Sequence, residues 1–212
     1  MMSIESLRKE YKRNELRSDT VSPDPVKQFR KWFEEAMHAD IDEVNAISLA
    51  TADKKGRPSS RIVLLKAFNR KGFTFFTSYE SRKSHDLKKN PYAALLIFWK
   101  ELERQVRIEG RVEMISARES DKYFDSRALE SRISASVSPQ SKEIPSRRYL
   151  EELWVKKLKE INDKKIIRPD HWGGYQVIPD RIEFWQGRPK RLHDRILYAR
   201  DGNKWVISLL AP

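Results

Sequence analysis

The sequence predicts a mainly β domain with flanking helices, an α+β fold built on an antiparallel barrel. Two observations predict it: short β-rich runs are separated by turns that contain glycine, and helical segments interrupt the series of strands. Because closure of a sheet removes its exposed edges, so many short strands favour a barrel. The 212 residues are enough to bury one core, so we predict a single domain over residues 1–212.

The series of predicted elements begins with one helix and includes five strands before residue 116. The helix is predicted to begin at Asp24-Pro25, because aspartate can cap free amides and proline is tolerated at the first helical position. The strands are predicted over residues 46–51, 61–66, 73–78, 93–99 and 105–115. Gly56 and Gly72 lie where hairpin turns need a positive φ, so we expect an antiparallel meander.

Three further helices and four further strands complete the series. Helices are predicted over residues 81–90, after the capping-box pattern Ser116-x-x-Glu119, and over residues 146–162. Strands are predicted over residues 175–177, 182–185, 196–199 and 205–209. The last two strands are joined by a turn at Asp201-Gly202.

Composition excludes several kinds of site. The chain has no cysteine, which rules out disulfides, thiolate metal ligands and a cysteine nucleophile. The four histidines lie far apart without metal-ligand spacing, so we predict no metal site. The longest apolar run, residues 93–99, is too short to cross a bilayer, and residues 1–13 lack an apolar signal core. We therefore expect a cytoplasmic protein without a membrane segment.

The net charge of +12, with a pI near 9.8, predicts attraction of nucleic acid, acidic lipid or small phosphorylated ligands. The basic residues are spread along the whole chain without a zinc-finger or RNA-recognition motif, so we expect no nucleic-acid partner. A dinucleotide fingerprint, a P-loop and a nucleophile elbow are absent from the sequence. The remaining cationic and hydroxyl groups suit phosphate dianions.

Two segments combine cations with the ends of strands or helices. In Arg61-Ile-Val-Leu-Leu-Lys66 an apolar strand lies between two cations, which indicates a buried strand with Arg61 and Lys66 on opposite faces. In Thr77-Ser-Tyr-Glu-Ser-Arg-Lys83 a strand leads into a helix whose first amides add to an anion site. Each segment also fits a structural interpretation, as a core strand with solvated ends and as an ordinary basic surface helix.

A third segment carries a phenol, a guanidinium and a hydroxyl. Tyr123, Arg127 and Ser131 are spaced by four, which would align them along one helical face where a phosphate could bind. The alternative is an amphipathic helix that packs its aromatic residues and exposes Arg127.

The fourth segment concentrates charge near the C-terminus. If residues 191–195 are extended, Arg191, His193 and Arg195 project to one side. Such a concentration of charge is costly unless an anionic or polar ligand lies against it, so we predict a site there.

Together these segments resemble the pyridoxamine 5'-phosphate oxidase family, whose members make pyridoxal 5'-phosphate with FMN. The match runs from about Arg8 to Pro212. It rests on Arg61-Ile-Val-Leu-Leu-Lys66, Ser81-Arg-Lys83, Glu103-Arg-Gln105-Val106, Tyr123-Phe-x-Ser-Arg127, Gln140-Ser141, His171-Trp-Gly-Gly174, and Glu183-Phe-Trp-Gln-Gly187 through Arg191-Leu-His-Asp-Arg195.

The resemblance implies a split β-barrel homodimer with FMN in two symmetric clefts at the subunit interface. We further expect residues 1–22 to be a mobile N-terminal segment. The implied FMN ligands are Arg61, Ile62, Val63, Leu64, Leu65, Lys66, Phe76, Thr77, Arg82, Lys83, Gln105, Gln140, Ser141, Trp185 and Arg195.

The implied substrate ligands are Arg8, Lys9, Glu10, Tyr11, Lys66, Tyr123, Arg127, Ser131, Arg191, Leu192 and His193, with Arg191 and His193 as the implied catalytic pair. The implied reaction moves a hydride equivalent from the 4' carbon of pyridoxamine or pyridoxine 5'-phosphate to the flavin, which dioxygen reoxidises with release of peroxide. Because arginine is effectively always protonated, Arg191 is expected to orient substrate, and His193 is the better titrating candidate.

The chain departs from the family pattern at four places. Ala128 and Ser134 stand where proline and glycine are frequent, Phe76 stands where a tyrosine is also found, and residues 188–190 fill a loop that is often less basic.

Other functions stay open: a split-barrel flavoprotein with another substrate or with deazaflavin, a non-catalytic carrier of flavin or pyridoxal phosphate, or an RNA-binding side activity.

Overall fold

The computed structural model describes residues 10–161 and 166–212, which contain five α-helices and nine β-strands. In chain order they are α1 (Pro25–Met37), β1 (Ala46–Ala52), β2 (Pro58–Leu64), β3 (Ala67–Asn69), β4 (Gly72–Ser78), α2 (Arg82–Lys89), β5 (Tyr92–Trp99), β6 (Arg104–Met114), α3 (Ala117–Asp125), α4 (Leu129–Val137), α5 (Arg147–Ile161), β7 (Trp172–Gln186), β8 (Asp194–Asp201) and β9 (Lys204–Leu209). Among the described helices, none has the length and apolar character needed to cross a membrane.

The strands form one antiparallel sheet in the order β2-β1-β5-β6-β7-β4-β3, with β8 and β9 added beside β7. β7 pairs with β4 through residues 172–177 and with β8 through residues 181–186, while β6 runs beside both halves. The backbone N–H of Lys66 donates to the carbonyl of Thr74 at 2.9 Å, which ties the chain after β2 to β4. The predicted α+β fold on an antiparallel split barrel is confirmed.

One long strand replaces two predicted short ones. The predicted strands 175–177 and 182–185 are parts of β7, and the pairing register with β6 shifts between Glu109 and Gly110, opposite Pro179. A Cβ on Gly110 would lie 2.0 Å from the carbonyl oxygen of Ile178, so only glycine fits this close approach. The stretch between the two predicted strands is therefore a β-bulge.

The main core lies between the sheet and α1. The Asp24 side chain accepts hydrogen bonds from the amides of Val26 and Lys27, which confirms the predicted start of α1. Phe29 is fully buried, with ring centroids 5.0 Å from Phe73 and 4.8 Å from Phe68. These aromatic contacts hold α1 across the barrel.

A smaller cluster supports α3 and α4. The capping box at Ser116 and Glu119 is present, which confirms the predicted start of α3. This helix ends at Asp125, and α4 starts after Ala128, so the prediction of one helical face through residues 123, 127 and 131 is wrong. The Ser126 hydroxyl donates to the Tyr123 carbonyl, and Ala128 has extended backbone angles, which together separate the two helices.

The segment before β8 is also not extended as predicted. Residues Pro189–Arg191 form a 3-10 turn, and Arg191 has a φ of 61°. The backbone N–H of Arg188 donates to Nδ1 of His193 at 3.1 Å, which closes the turn, and β8 begins only at Asp194. The premise that Arg191, His193 and Arg195 alternate along one strand is therefore wrong.

Candidate active site

A cleft of about 770 Å³ opens between β2, the end of β4, the start of α2, and α3–α4. Fourteen predicted site residues line it: Arg61, Ile62, Val63, Leu64, Lys66, Phe76, Thr77, Arg82, Lys83, Tyr123, Arg127, Ser131, Gln140 and Ser141. Four lining residues were not predicted: Ser59, Ser60, Ala128 and Trp172. Five of the lining side chains are cations, and among the described lining residues none is a carboxylate.

β2 forms one wall of the cleft and lies at the edge of the sheet. Arg61 and Val63 are half-buried, whereas Ile62 is 67% exposed, so the prediction of a buried strand is wrong for a single chain. The strand ends at Leu64, and strict alternation does not extend to Lys66. Arg61 and Lys66 therefore line the same cleft, rather than serving opposite faces.

Arg61 is held by acceptors on β1 and β2. Its Nη1 donates to the Leu49 carbonyl at 3.1 Å and to Thr51 Oγ1 at 2.8 Å, and its Nη2 donates to Ser59 Oγ at 2.6 Å. Burial lowers the pKa of Arg61; Asp86 raises it and Arg82 lowers it further. Arginine remains charged in spite of such shifts, so a fixed positive charge stands at this end of the cleft.

Lys83 is a buried ammonium in the first turn of α2. Its Nζ donates to Thr77 Oγ1 at 3.0 Å, to Ser81 Oγ at 3.1 Å and to Gln140 Oε1 at 3.2 Å, all neutral acceptors. Burial, with a second contribution from Arg61, lowers the pKa of Lys83 to about 8. A phosphate dianion would offset both effects, because it brings negative charge to two adjacent cations.

An aromatic stack forms the far side of the cleft. Phe76 stacks on Tyr123 with centroids 3.8 Å apart, and Trp172 lies parallel to Phe76 at 5.6 Å. The guanidinium of Arg127 lies 4.7 Å from the centroid of Trp172, and its buried Nη1 has no hydrogen-bond partner within the described chain. Burial raises the pKa of Tyr123, and nearby Arg127 opposes this, so the phenol is neutral at pH 7. A neutral donor and a guanidinium thus face the cleft together.

A second group of predicted residues lies outside the cleft. The ring of His193 is 4.7 Å from Trp185 and 5.9 Å from Tyr11. Burial and then Arg191 lower the pKa of His193, with Asp194 opposing, so the imidazole is neutral at pH 7. Because Nδ1 accepts from Arg188, the neutral ring carries its proton on Nε2. Arg191 and Leu192 are exposed at its side.

The N-terminal strap, residues 10–16, covers this second group. Glu103 Oε2 accepts from the amides of Lys12 and Arg13 at 2.8 and 3.1 Å, and Asp194 Oδ2 accepts from the amide of Leu16. Gly187 lies under the strap, where a Cβ would come within 2.7 Å of the Tyr11 ring. Of the predicted substrate ligands, Arg8 and Lys9 lie outside the described residues, and the predicted mobility of residues 1–22 stays a prediction.

Three of the four remaining predicted flavin ligands lie on the outer face of the sheet. Gln105, Trp185 and Arg195 are directly paired across β6, β7 and β8. Arg195 donates to both oxygens of Glu183, at 2.8 and 3.0 Å, and its side chain does not line the cleft. Leu65 is buried in the core. Within one chain, most of the predicted residues therefore form two separate groups, one that lines the cleft and one around Trp185 and His193.

Comparison with known proteins fits this arrangement. Residues 33–155 match the family model described as pyridoxamine 5'-phosphate oxidase. The chain belongs to this family. Residues 172–212 match a second model, described as the C-terminal dimerisation region of pyridoxine 5'-phosphate oxidase, and this range holds Trp185, His193 and Arg195.

Full-length relatives are named pyridoxine/pyridoxamine 5'-phosphate oxidase. The protein from Burkholderia cenocepacia is 54% identical over 215 residues, with all of both chains covered. The protein from Cyanothece is 50% identical over 211 residues, covering 100% of this chain and 99% of the relative. The chain is thus an oxidoreductase of the pyridoxamine 5'-phosphate oxidase family.

Solved structures share the fold. PhzG from Burkholderia lata, in complex with tetrahydrophenazine-1-carboxylic acid, has a TM-score of 0.89 and 31% identity, covering 94% of this chain and 98% of its own. A pyridoxamine 5'-phosphate oxidase-related, FMN-binding protein from Nostoc punctiforme has a TM-score of 0.72 and 18% identity, covering 87% and 97%. Family membership, with a cationic cleft that suits a phosphomonoester, indicates that the chain binds a flavin.

The residues missed by the sequence interpretation carried weak signals. Trp172 belongs to the family-like run His171-Trp-Gly-Gly174, but a tryptophan beside two glycines equally predicts core packing. Ser59 lies two residues before Arg61, so strand alternation alone would have placed it beside the arginine.

Proposed function

We propose that this chain is an FMN-dependent oxidase that converts pyridoxamine 5'-phosphate and pyridoxine 5'-phosphate to pyridoxal 5'-phosphate, with O2 as acceptor and H2O2 as by-product. The observation that carries the proposal is the cleft with five cations and no carboxylate among its described lining residues. Cofactor and substrate each bring a phosphomonoester, and the cations stand on two sides of the cleft, at β2–α2 and at Arg127. The setting would be cytoplasmic vitamin B6 metabolism.

The residues of the cleft fit FMN. Arg61, Arg82 and Lys83 would hold its phosphate, the β2 residues with Phe76, Thr77, Gln140 and Ser141 would lie along the rest of the molecule, and Lys66, Tyr123, Arg127 and Ser131 would hold the substrate phosphate. When bound, FMN supplies the redox chemistry by accepting a hydride equivalent and passing the electrons to O2. The protein then has to hold FMN and the substrate next to each other, with the reacting carbon of the substrate facing the flavin.

The second half of the site would come from the partner chain of a homodimer. Gln105, Trp185 and Arg195, with Arg191 and His193, do not line the cleft of their own chain. They lie on or beside an outer sheet face that also carries exposed apolar side chains. Among these, Ile62 is 67% exposed and Phe98 is 48% exposed. Burial of that face against a second copy would bring the Trp185–His193 group over the partner's cleft, since a two-fold interface is self-complementary.

The roles proposed for the catalytic pair follow from their chemistry. Arg191 keeps its charge and would orient the substrate and stabilise negative charge on it. His193 is neutral, and its Nδ1 lone pair is committed to the Arg188 amide, so Nε2–H is a donor. We therefore assign His193 to donating a hydrogen bond to the substrate, and proton uptake from the substrate to another acceptor or water.

Steady-state turnover tests the proposal. Purified protein should release FMN on denaturation, and it should form pyridoxal 5'-phosphate and peroxide from both phosphorylated substrates. Bound flavin without turnover would indicate a carrier, whereas oxidation of a tetrahydrophenazine carboxylate in preference to pyridoxine 5'-phosphate would indicate a PhzG-like substrate. The higher identity to pyridoxine/pyridoxamine 5'-phosphate oxidases, 54% against 31%, supports the vitamin B6 substrate.

A further inference from the structure

A buried carboxylate stands behind the phosphate end of the cleft. Asp86 lies one turn after Lys83 in α2, and it is only 8% exposed. Its Oδ2 accepts hydrogen bonds from Thr51 Oγ1 at 2.8 Å and from Ser59 Oγ at 3.0 Å. Asp86 does not itself line the cleft, so it has no direct part in the ligand contacts described above.

The two hydroxyls connect Asp86 to Arg61. Thr51 Oγ1 and Ser59 Oγ, which donate to Asp86, are also the acceptors for Nη1 and Nη2 of Arg61. A hydroxyl has one proton to donate, and each of these donates it to the carboxylate. Their lone pairs are therefore directed to the guanidinium, so Asp86 fixes the orientation of both hydroxyls and, through them, of Arg61.

Such a restraint is needed because the neighbouring cations repel Arg61. Arg82 and Lys83 both interact unfavourably with its charge. A long side chain under this repulsion would otherwise turn towards solvent, where water screens its charge. Binding a phosphate would then require the guanidinium to be ordered again, at a cost in affinity.

We propose that Asp86 is a positioning residue for the flavin phosphate, which acts through Thr51 and Ser59 to hold Arg61 in its receiving orientation. The inference rests on the proposed FMN site, but it does not depend on the identity of the substrate. It predicts that Asp86 contributes to the affinity for FMN only while Arg61 is present and only for a flavin that carries a phosphate.

Flavin titration of the flavin-free full-length protein tests this role. Asp86→Ala should weaken FMN binding about tenfold or more, the range expected when a charge-assisted hydrogen bond to phosphate is lost. The same change should leave the affinity for riboflavin, which lacks the phosphate, unaltered. In an Arg61→Ala background, Asp86→Ala should have no further effect on FMN binding, because the residue that it orients is gone.

Two companion variants keep the test independent of folding. Asp24→Ala removes an aspartate that also accepts two hydrogen bonds but caps α1 away from the cleft, so it should lower stability without weakening FMN binding. If Asp86→Ala does not fold, Ser59→Ala removes one arm of the connection at a half-buried position. It should weaken FMN binding in the wild-type background and have no effect in the Arg61→Ala background.

Three results would overturn the inference: normal FMN affinity in folded Asp86→Ala protein, an equal loss of affinity for FMN and riboflavin, or a full effect in the Arg61→Ala background. Failure of the proposed function would look different. In that case the wild-type protein would bind no FMN, or would bind it without oxidising pyridoxine 5'-phosphate.

Discussion

The buried ammonium of Lys83 stands beside the guanidinium of Arg61. Burial, together with the repulsion between the two positive charges, lowers the pKa of Lys83 to about 8. The ordinary pKa of lysine, 10.5, applies to the unfolded chain, so between about pH 8 and pH 10.5 the unfolded state binds more protons than the folded state. The stability of the flavin-free protein should therefore rise with pH across that window. Without a ligand, the folded protein favours the neutral amine of Lys83. A bound phosphate would instead favour the charged ammonium.

The affinity for FMN should accordingly fall as the pH rises through about 8. Below this pH Lys83 is already protonated, and above it each binding event must take up a proton, which weakens binding by at most about tenfold per pH unit. Fluorescence titration between pH 6 and pH 10 measures the effect, with Lys83→Arg as the control because arginine does not titrate there. If the affinity of the wild-type protein for FMN did not change with pH, Lys83 would not be a ligand of the phosphate.

Arg191→Ala should lower kcat strongly while leaving the affinity for FMN nearly normal, whereas Lys83→Ala should mainly weaken FMN binding. The two residues lie in different groups, since Lys83 lines the cleft and Arg191 is exposed beside His193. Loss of one charge-assisted phosphate contact should cost about 1.5–3 kcal/mol of binding. Rates at saturating FMN and titrations of both variants separate the effects. Near-normal turnover by Arg191→Ala would show that its assigned role is wrong.

Mixed dimers should show that each site uses two chains. Arg127→Ala and Arg191→Ala are each expected to be nearly inactive alone. In a mixed dimer, one cleft keeps Arg127 and receives an intact Arg191 from the partner, so random re-association should restore roughly a quarter of native activity. Mixing either variant with itself is the control. If mixing restores nothing, cleft and His193 group act within one chain.

Glu103→Ala should release the N-terminal strap. The carboxylate holds the amides of Lys12 and Arg13, and removing both charge-assisted hydrogen bonds should ease local opening by about 2 kcal/mol. Hydrogen exchange at these two amides measures the opening directly, and KM for the substrate should rise with it. Glu101→Ala, at an exposed neighbouring position, is the control. Unchanged hydrogen-exchange rates at these amides would show that Glu103 does not hold the N-terminal strap in place.

Local signals in the sequence predicted much of the fold. The Asp24 cap, the capping box at Ser116 and the Asp201-Gly202 turn each depend on residues a few positions apart, and the structure contains all three. Most of the cleft was also predicted, because its residues lie in short motifs on consecutive elements.

The errors arise where distant parts of the chain decide the local conformation. The break after Asp125 is not marked by proline or glycine, so a spacing of four predicted one helix. The turn at residues 189–191 depends on a hydrogen bond between Arg188 and His193, which alternation cannot anticipate. The exposure of Ile62 depends on the edge position of β2, which is a property of the whole sheet.

The bulge in β7 also sets the parity of the strand. Before it, the odd-numbered residues Tyr175 and Val177 face the core; after it, the even-numbered Ile182 and Phe184 do so. The spacing from Val177 to Ile182 is odd, so both residues face the core only because the bulge takes up one extra residue. If that residue were paired in a regular ladder, the C-terminal half would turn over and exchange its core residues with Trp185 and its neighbours. Deletion of one residue at the bulge would restore uninterrupted alternation and leave all four side chains on the core face. We therefore expect the strand to tolerate this deletion, whereas it cannot tolerate regular pairing of the bulge at its present length.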